Sequence, residues 1–334
     1  MLEQIRAIPK AELHLHIEGT LEPELAFELA RRNGIELRFA TVEALARAYD
    51  FADLQSFLTL YYECMSVLRR PADFADLANA YLERAGRDGV RHVEMFFDPQ
   101  AHTSRGVALD DVVAGLRSAV LEAPARHGIS AALIACFVRD RPVAEAMSTL
   151  EGLAGHLDVV EAVGLDSAEV GYPPSAFREV FAAAEQLGLR KVAHAGEEGP
   201  PAYVWEALDV LGVERIDHGI RAVEDGSLLQ RLAGDRVPLT VCPLSNLRLR
   251  CVDSLERHPL PRLLDAGVMV TINSDDPAYF GGYVAENYHA VAEALGLDLA
   301  TLELMAQNSL AASFARPVDL RRGQESTSRP RRTP

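Results

Sequence analysis

Eight short runs of β-branched and other apolar residues alternate with longer stretches of helical periodicity, and nothing else in the chain limits its fold so strongly. The strand candidates cover residues 12–17, 92–97, 131–138, 159–165, 191–195, 215–218, 239–242 and 268–272. Helical patterns such as 109–125, 175–187 and 202–211 lie between them. Strand, helix, strand repeated eight times predicts an α/β chain closed into a (β/α)8 barrel, the TIM barrel. One connection breaks the rhythm. Between residues 17 and 92 lies a long insertion with helical stretches of its own, among them 54–68, which carries Leu54, Phe57, Leu58, Tyr61, Tyr62, Met65 and Leu68 at helical spacings. A helical insertion after the first strand, at the catalytic end of a barrel, is expected to cover the site.

A chain of 334 residues, 49% hydrophobic and without a long Pro/Ser/Gly linker, can bury one large core. Residues 1–315 read as a single domain, and residues 316–334, rich in Arg, Ser and Pro, as a disordered tail. The balance of 33 Lys+Arg against 49 Asp+Glu gives a net charge of -16, which repels phosphate backbones and anionic lipids. Neither nucleic acid nor a membrane is an expected partner, and no apolar run approaches the roughly 20 residues that cross a bilayer. Glu3, Arg6, Pro9 and Lys10 interrupt any signal-peptide core, so a cytoplasmic location is expected. Cys64, Cys136, Cys242 and Cys251 show no Cys-x-x-Cys spacing and read as buried thiols in a reducing compartment.

The ionisable residues fall at the ends of the strand candidates. His14 and His16, spaced i, i+2, lie on one face of an extended chain. His194, His218, Asp275 and Asp276 end or follow the fifth, sixth and eighth runs. Each piece alone is weak, since a His-x-His pair can be a satisfied core pair and Asp275-Asp276-Pro277 can simply cap a helix. In a parallel barrel, however, these strand ends converge on one mouth, where the active sites of this architecture lie. Imidazoles and a carboxylate gathered there suit a catalytic zinc ion, which lowers the pKa of a bound water to about 7. First-row metals share such donors, so Fe2+ and Mn2+ remain compatible. The only lysines are Lys10 and Lys191, neither placed to bridge two ions, which favours one ion per subunit. Asp166 and Glu169 leave a carboxylate-bridged pair open.

At this point the chain resembles the adenosine deaminase family of the amidohydrolase superfamily, and within it the adenine deaminase subgroup. The resemblance runs to about Phe314 and rests on His14-Leu15-His16-Ile17-Glu18-Gly19, Gly164-Leu165-Asp166-Ser167-Ala168-Glu169, His194-Ala195-Gly196-Glu197, Asp217-His218-Gly219, Cys242-Pro243-Leu244-Ser245-Asn246 and Asn273-Ser274-Asp275-Asp276-Pro277. It implies that His14, His16, His194 and Asp275 hold the metal, that Glu197 is the general acid toward purine N1, that His218 orients or deprotonates the attacking water, and that Asp276 binds N7. Glu18 stands where nucleoside deaminases usually carry aspartate, and Glu169 where they usually carry glycine. Both departures match the adenine deaminases, so Glu18 and Glu169 are expected to narrow the sugar space and to accept a ring N–H. The expected reaction is hydrolysis of adenine to hypoxanthine and ammonia, in purine salvage.

Adenosine, N6-substituted adenines and 6-aminodeoxyfutalosine are alternative substrates, the N6-substituted ones through a roomier pocket beside Cys64, Met65 and Ser66. A cytidine deaminase site requires His-x-Glu followed by Pro-Cys-x-x-Cys; His16-Ile17-Glu18 offers only the first half. A ligand-binding barrel without activity is disfavoured, because acid and metal donors are all present. The sequence is also compatible with a homo-oligomer.

Overall fold

A computed structural model of the protein describes residues 1–49, 51 and 54–316. The expected tail falls almost wholly on residues 317–334, outside the described residues. The eight strands are β1 Lys10–His16, β2 Val90–Phe97, β3 Ser130–Val138, β4 Val160–Asp166, β5 Arg190–Ala195, β6 Arg215–His218, β7 Pro238–Val241 and β8 Met269–Ile272. They pair in parallel, each with its sequence neighbour. The ring closes where the chain beyond β8 meets β1: Asp275 donates its main-chain N–H to His14 O at 3.1 Å, and His16 donates to Asp275 O at 3.0 Å. The (β/α)8 barrel expected from the alternation is therefore present.

Helices clothe the outside. Helix Leu109–Arg126 matches its expected span, with Pro124 inside its last turn. The expected helix at 175–187 divides into a 3-10 turn, Pro174–Phe177, and an α-helix, Arg178–Gln186. The one at 202–211 begins as α-helix Pro201–Glu206 and widens into a π-turn, Ala207–Leu211. Among the described residues no helix is long and apolar enough to cross a membrane. Cys64, Cys136 and Cys242 are buried free thiols and Cys251 is half-buried.

Inside the barrel, below the mouth, Phe96, Ile134, Cys136, Ala162, Val192 and Phe314 form a small apolar plug. Phe96 is its top, with its ring 5.0 Å from that of His14 and 5.1 Å from that of His16. Above the mouth lies the part of the insertion that carries helix Leu54–Cys64, while its last helix, Pro71–Arg87, packs on the outside against Leu109–Arg126 and leads into β2. Phe57 packs on Phe280 at 4.7 Å and on Tyr279 at 5.6 Å, between ring centroids. Those two aromatics belong to the short helix Pro277–Phe280 that follows Asp276. The cover is thus seated on the turn that carries the aspartates, an apolar contact that excludes water from the mouth.

Candidate active site

The strand ends bring together every residue of the expected metal and catalytic set. His14 and His16 come from β1, His194 from β5 and His218 from β6, with Glu197 just past β5 and Asp275 and Asp276 just past β8. None of these residues is more than 8% exposed. Ser167 (φ 72°), His218 (φ 62°) and Asp275 (φ 63°) hold left-handed backbone. Such strain persists where the surroundings over-determine it, and it concentrates at sites that must aim side chains. At Asp275 the kink lets the main chain pair with β1 while the carboxylate turns inward.

Partners on the outer nitrogens decide which imidazole nitrogen faces the centre. Thr240 donates its hydroxyl proton to Asp217 Oδ1 at 2.8 Å, so its oxygen accepts from His14 Nδ1 at 3.0 Å. His194 Nδ1 lies 3.5 Å from Asp217 Oδ2, and His16 Nδ1 lies 3.7 Å from Asp166 Oδ2. The bond to Thr240 puts the proton of His14 on Nδ1 and leaves its Nε2 bare, and the carboxylates nearest Nδ1 of His194 and His16 favour the same tautomer in those two rings. Burial, which lowers the pKa of His16 to about 3, keeps its ring neutral. His14 Nε2 is buried without a hydrogen-bond partner, 3.3 Å from Asp275 Oδ1, and the Nε2 atoms of His16 and His194 face each other at 3.2 Å. Burial disfavours charge on Asp275, yet His14, His218 and His16 hold its carboxyl well below the usual range. Facing lone pairs beside a carboxylate repel one another unless a cation lies between them. Three imidazole nitrogens and one carboxylate oxygen are a fitting donor set for a divalent first-row metal.

His218 is held the other way round. By distance it belongs with His14, His194 and Asp275 in a buried group whose donor atoms lie within 4.8 Å of one another. Its hydrogen bonds say otherwise. Leu260 donates its main-chain N–H to His258 Nδ1 at 3.1 Å, leaving the proton of His258 on Nε2, which donates to Asn246 Oδ1 at 3.2 Å. Asn246 Nδ2 then donates to His218 Nδ1 at 3.4 Å. His218 therefore carries its proton on Nε2, 3.5 Å from Glu197 Oε2 and 3.7 Å from Asp275 Oδ2. It is a hydrogen-bond donor toward the site rather than a fourth lone pair. Burial, then Asp275 and Glu169, raises the pKa of Glu197 well above the ordinary carboxyl value, so it carries a proton. Burial and the adjacent Asp275 do the same to Asp276, whose Oδ1 has no partner in the protein.

The cavity above these groups, about 40 Å³, is lined by His16, Asp98, Asp166, Ser167, His194, Glu197, His218, Asp275 and Asp276 together with Phe57, Leu58, Tyr61, Tyr62 and Leu249. Glu18 and Glu169, expected to face the substrate, are not among its walls. Glu169 accepts four main-chain N–H groups, from Gly196 at 2.6 Å, Glu197 at 3.0 Å, Glu198 at 2.9 Å and Gly199 at 2.8 Å. Its carboxylate is saturated by the loop that carries Glu197, so it braces that loop. Glu18 Oε1 accepts from Asp98 N at 3.2 Å and from His102 Nε2 at 2.7 Å, behind the wall. Cys64, Met65 and Ser66 likewise lie outside the cavity, because it is an earlier turn of the covering helix that faces inward. Sequence reasoning missed Thr240, Asp217, Asn246 and His258 as orienting groups, and Asp98 as a wall. The Asp217-His218 and Ser245-Asn246 motifs were the available signals. It also missed Arg139, which is buried and donates to His194 O at 2.7 Å and Tyr172 O at 2.9 Å, fixing the end of β5.

A parallel barrel with buried histidines and a carboxylate at the carboxyl ends of its strands defines a metal-dependent hydrolase of the amidohydrolase type. A family model described as adenosine deaminase matches residues 9–323, and the chain belongs to that family. Among its relatives are an adenine deaminase of Streptomyces coelicolor, 63% identical over 312 residues (93% of this chain, 92% of the relative), and one of Rhodospirillum rubrum, 57% identical over 314 residues (94% of each). The crystal structure of an adenine deaminase from Arthrobacter aurescens is 52% identical and superposes with a TM-score of 0.92 over 97% of this chain and 100% of that one. An amidohydrolase from Burkholderia ambifaria with bound zinc is 29% identical, with a TM-score of 0.88 over 97% of this chain and 91% of that one.

Proposed function

We propose that the protein hydrolyses adenine to hypoxanthine and ammonia, with one zinc ion per chain held by His14, His16, His194 and Asp275. The observation that carries the chemistry is the buried approach of Glu197 Oε2 to His218 Nε2, 3.5 Å apart, beside the Nε2 atoms of His16 and His194, 3.2 Å apart; burial holds the Glu197 carboxyl above its ordinary range and so favours its acid form. The ion, when bound, supplies a water acidic enough to attack at neutral pH.

The chain's own residues do the rest. Glu197 donates its proton to purine N1 as the water oxygen bonds to C6, so the ring does not accumulate negative charge. His218 donates from Nε2 to the oxygen being added, orienting it and stabilising its charge. Asp276 hydrogen-bonds N7 and fixes the plane of the base. The water gives up two protons in all: one restores Glu197 and the other reaches the C6 amino nitrogen as the C6–N bond breaks, so that ammonia leaves and C6 keeps the oxygen as a carbonyl. Phe57, Leu58 and Tyr61 close over the ring and keep bulk water out.

Adenine as the substrate is supported by the full-length relatives at 54–63% identity that are adenine deaminases. Residues 1–315 are read as the catalytic unit, acting in the cytoplasm in purine salvage. A panel of adenine, adenosine and N6-isopentenyladenine, assayed for amine release on metal-quantified protein, tests the reading. Adenine is expected to lead by at least about 100-fold in kcat/KM, and a lead for either competitor removes the assignment.

A further inference from the structure

With Glu18 and Glu169 turned away from the cavity, two wall carboxyls are left to read the base, Asp98 and Asp166. Asp98 follows β2, is 3% exposed, and its Oδ1 has no partner in the protein. Asp166 beside it interacts with the Asp98 carboxyl and faces His16 Nδ1 with Oδ2, while its Oδ1 is likewise without a partner; of the two, Asp98 is the one the strand order places across the barrel from β6. Glu18 accepts the main-chain N–H of Asp98, so the carboxylate expected to touch the substrate instead positions the one that lines the cavity. A buried carboxyl oxygen without a donor is costly unless something brings one.

Strand order settles which edge of the base lies there. The inference rests on the function proposed above, in which C6 lies toward His218 on β6, N1 toward Glu197 after β5 and N7 toward Asp276 after β8. In a ring that runs from β1 to β8 in order, β2 stands opposite β6. In a purine the N3/N9 edge lies across the fused rings from C6. That edge therefore faces β2, and with it Asp98. A free base carries an N9–H donor at this edge, whereas a nucleoside carries the first carbon of its sugar there.

We propose that Asp98 selects the free base: its carboxyl accepts the ring N9–H and fills the space where a sugar would begin. Adenine satisfies the orphaned oxygen, and adenosine both leaves it unsatisfied and collides with it. Asymmetry of this kind, in which the wrong ligand strands a buried polar group, discriminates far more strongly than a lost apolar contact.

The test compares adenine with 9-methyladenine, which differs only at N9, in the full-length wild type and in Asp98→Ala, reading ammonia release and metal content. In Asp98→Ala, kcat/KM for adenine is expected to fall about 10- to 100-fold, while that for 9-methyladenine holds or rises. Asp98→Asn, which keeps the volume and serves if the alanine variant does not fold, should narrow the same ratio without a gain for 9-methyladenine. Equal losses on both substrates in a protein active on adenine overturn the inference alone. Two metal equivalents in the wild type that fall to one in the variants also overturn it, since Asp98 would then hold a second ion with His16 and Asp166. A wild type that releases no ammonia from adenine overturns the functional reading and this inference together.

Discussion

Gly19 lies directly against the carboxylate of Asp276: a Cβ on Gly19 would overlap Oδ1 and stand 2.6 Å from the Asp276 Cα. The glycine of His14-Leu15-His16-Ile17-Glu18-Gly19 is therefore required by a residue more than 250 positions away, because only a bare Cα lets the aspartate reach its place. Gly19→Ala should displace Asp276 and lower kcat/KM for adenine by about 100-fold, the scale of a small misplacement at a reacting centre. Steady-state kinetics on the folded variant checks this, and unchanged efficiency would show that Asp276 does not position the base.

The relay from Leu260 through His258 and Asn246 fixes the tautomer of His218. Asn246→Asp replaces the donor with an acceptor, so the His218 proton moves to Nδ1 and Nε2 loses its hydrogen. Turnover should fall about 10- to 100-fold, as for other groups that orient a site from behind, with KM for adenine little changed. A matching rise in KM would mean that Asn246 shapes the binding pocket instead.

Glu169 accepts four N–H groups of residues 196–199 and lies against Gly199, where a Cβ would collide with its carboxylate. Glu169→Gly should leave those amides unsatisfied and loosen the loop that carries Glu197. Activities on adenine and adenosine should fall by a common factor, with stability lowered by about 1–3 kcal/mol. A selective gain of adenosine activity would restore Glu169 as a residue that reads the substrate.

Burial lowers the pKa of His258 from 6.5 to about 4. Between those values the unfolded chain binds more protons than the folded one, so stability rises with pH across the window. The contribution is fully present above pH 6.5 and is lost as pH falls toward 4. Moving from pH 6.5 to 5 should cost the wild type about 2 kcal/mol from this residue. Denaturant melts of His258→Gln at the two pH values should lack that component, and an identical pH slope in the variant would contradict the argument.

The barrel was legible because each strand is a local apolar run whose period does not depend on its neighbours. The edges were less so. β1 begins at Lys10 rather than residue 12, since the ammonium is buried and donates to Ile5 O at 2.9 Å and Asp88 O at 2.6 Å, which a reading by polarity places outside. β5 begins at Arg190, whose guanidinium stacks on Phe314 at 4.3 Å. The histidines and Asp275 were legible by their position at strand ends. The directions of Glu18 and Glu169 were not, because a carboxylate turns to whichever N–H groups the fold brings near, and those come from residues 80 and 27–30 positions away. The same holds for Asn246 and His258, whose role exists only once β6 and the segment after β7 are neighbours.

At the proposed metal centre His14, His16 and His194 offer Nε2 to one cation, while His218 turns a protonated Nε2 toward the substrate side. Zinc content and adenine turnover in His16→Asn and His218→Asn measure this most directly. His16→Asn should bind the ion at least about 10-fold more weakly. His218→Asn should keep one equivalent per chain while its turnover falls by about 100-fold or more. An ion retained without His16 and lost without His218 would contradict the assignment.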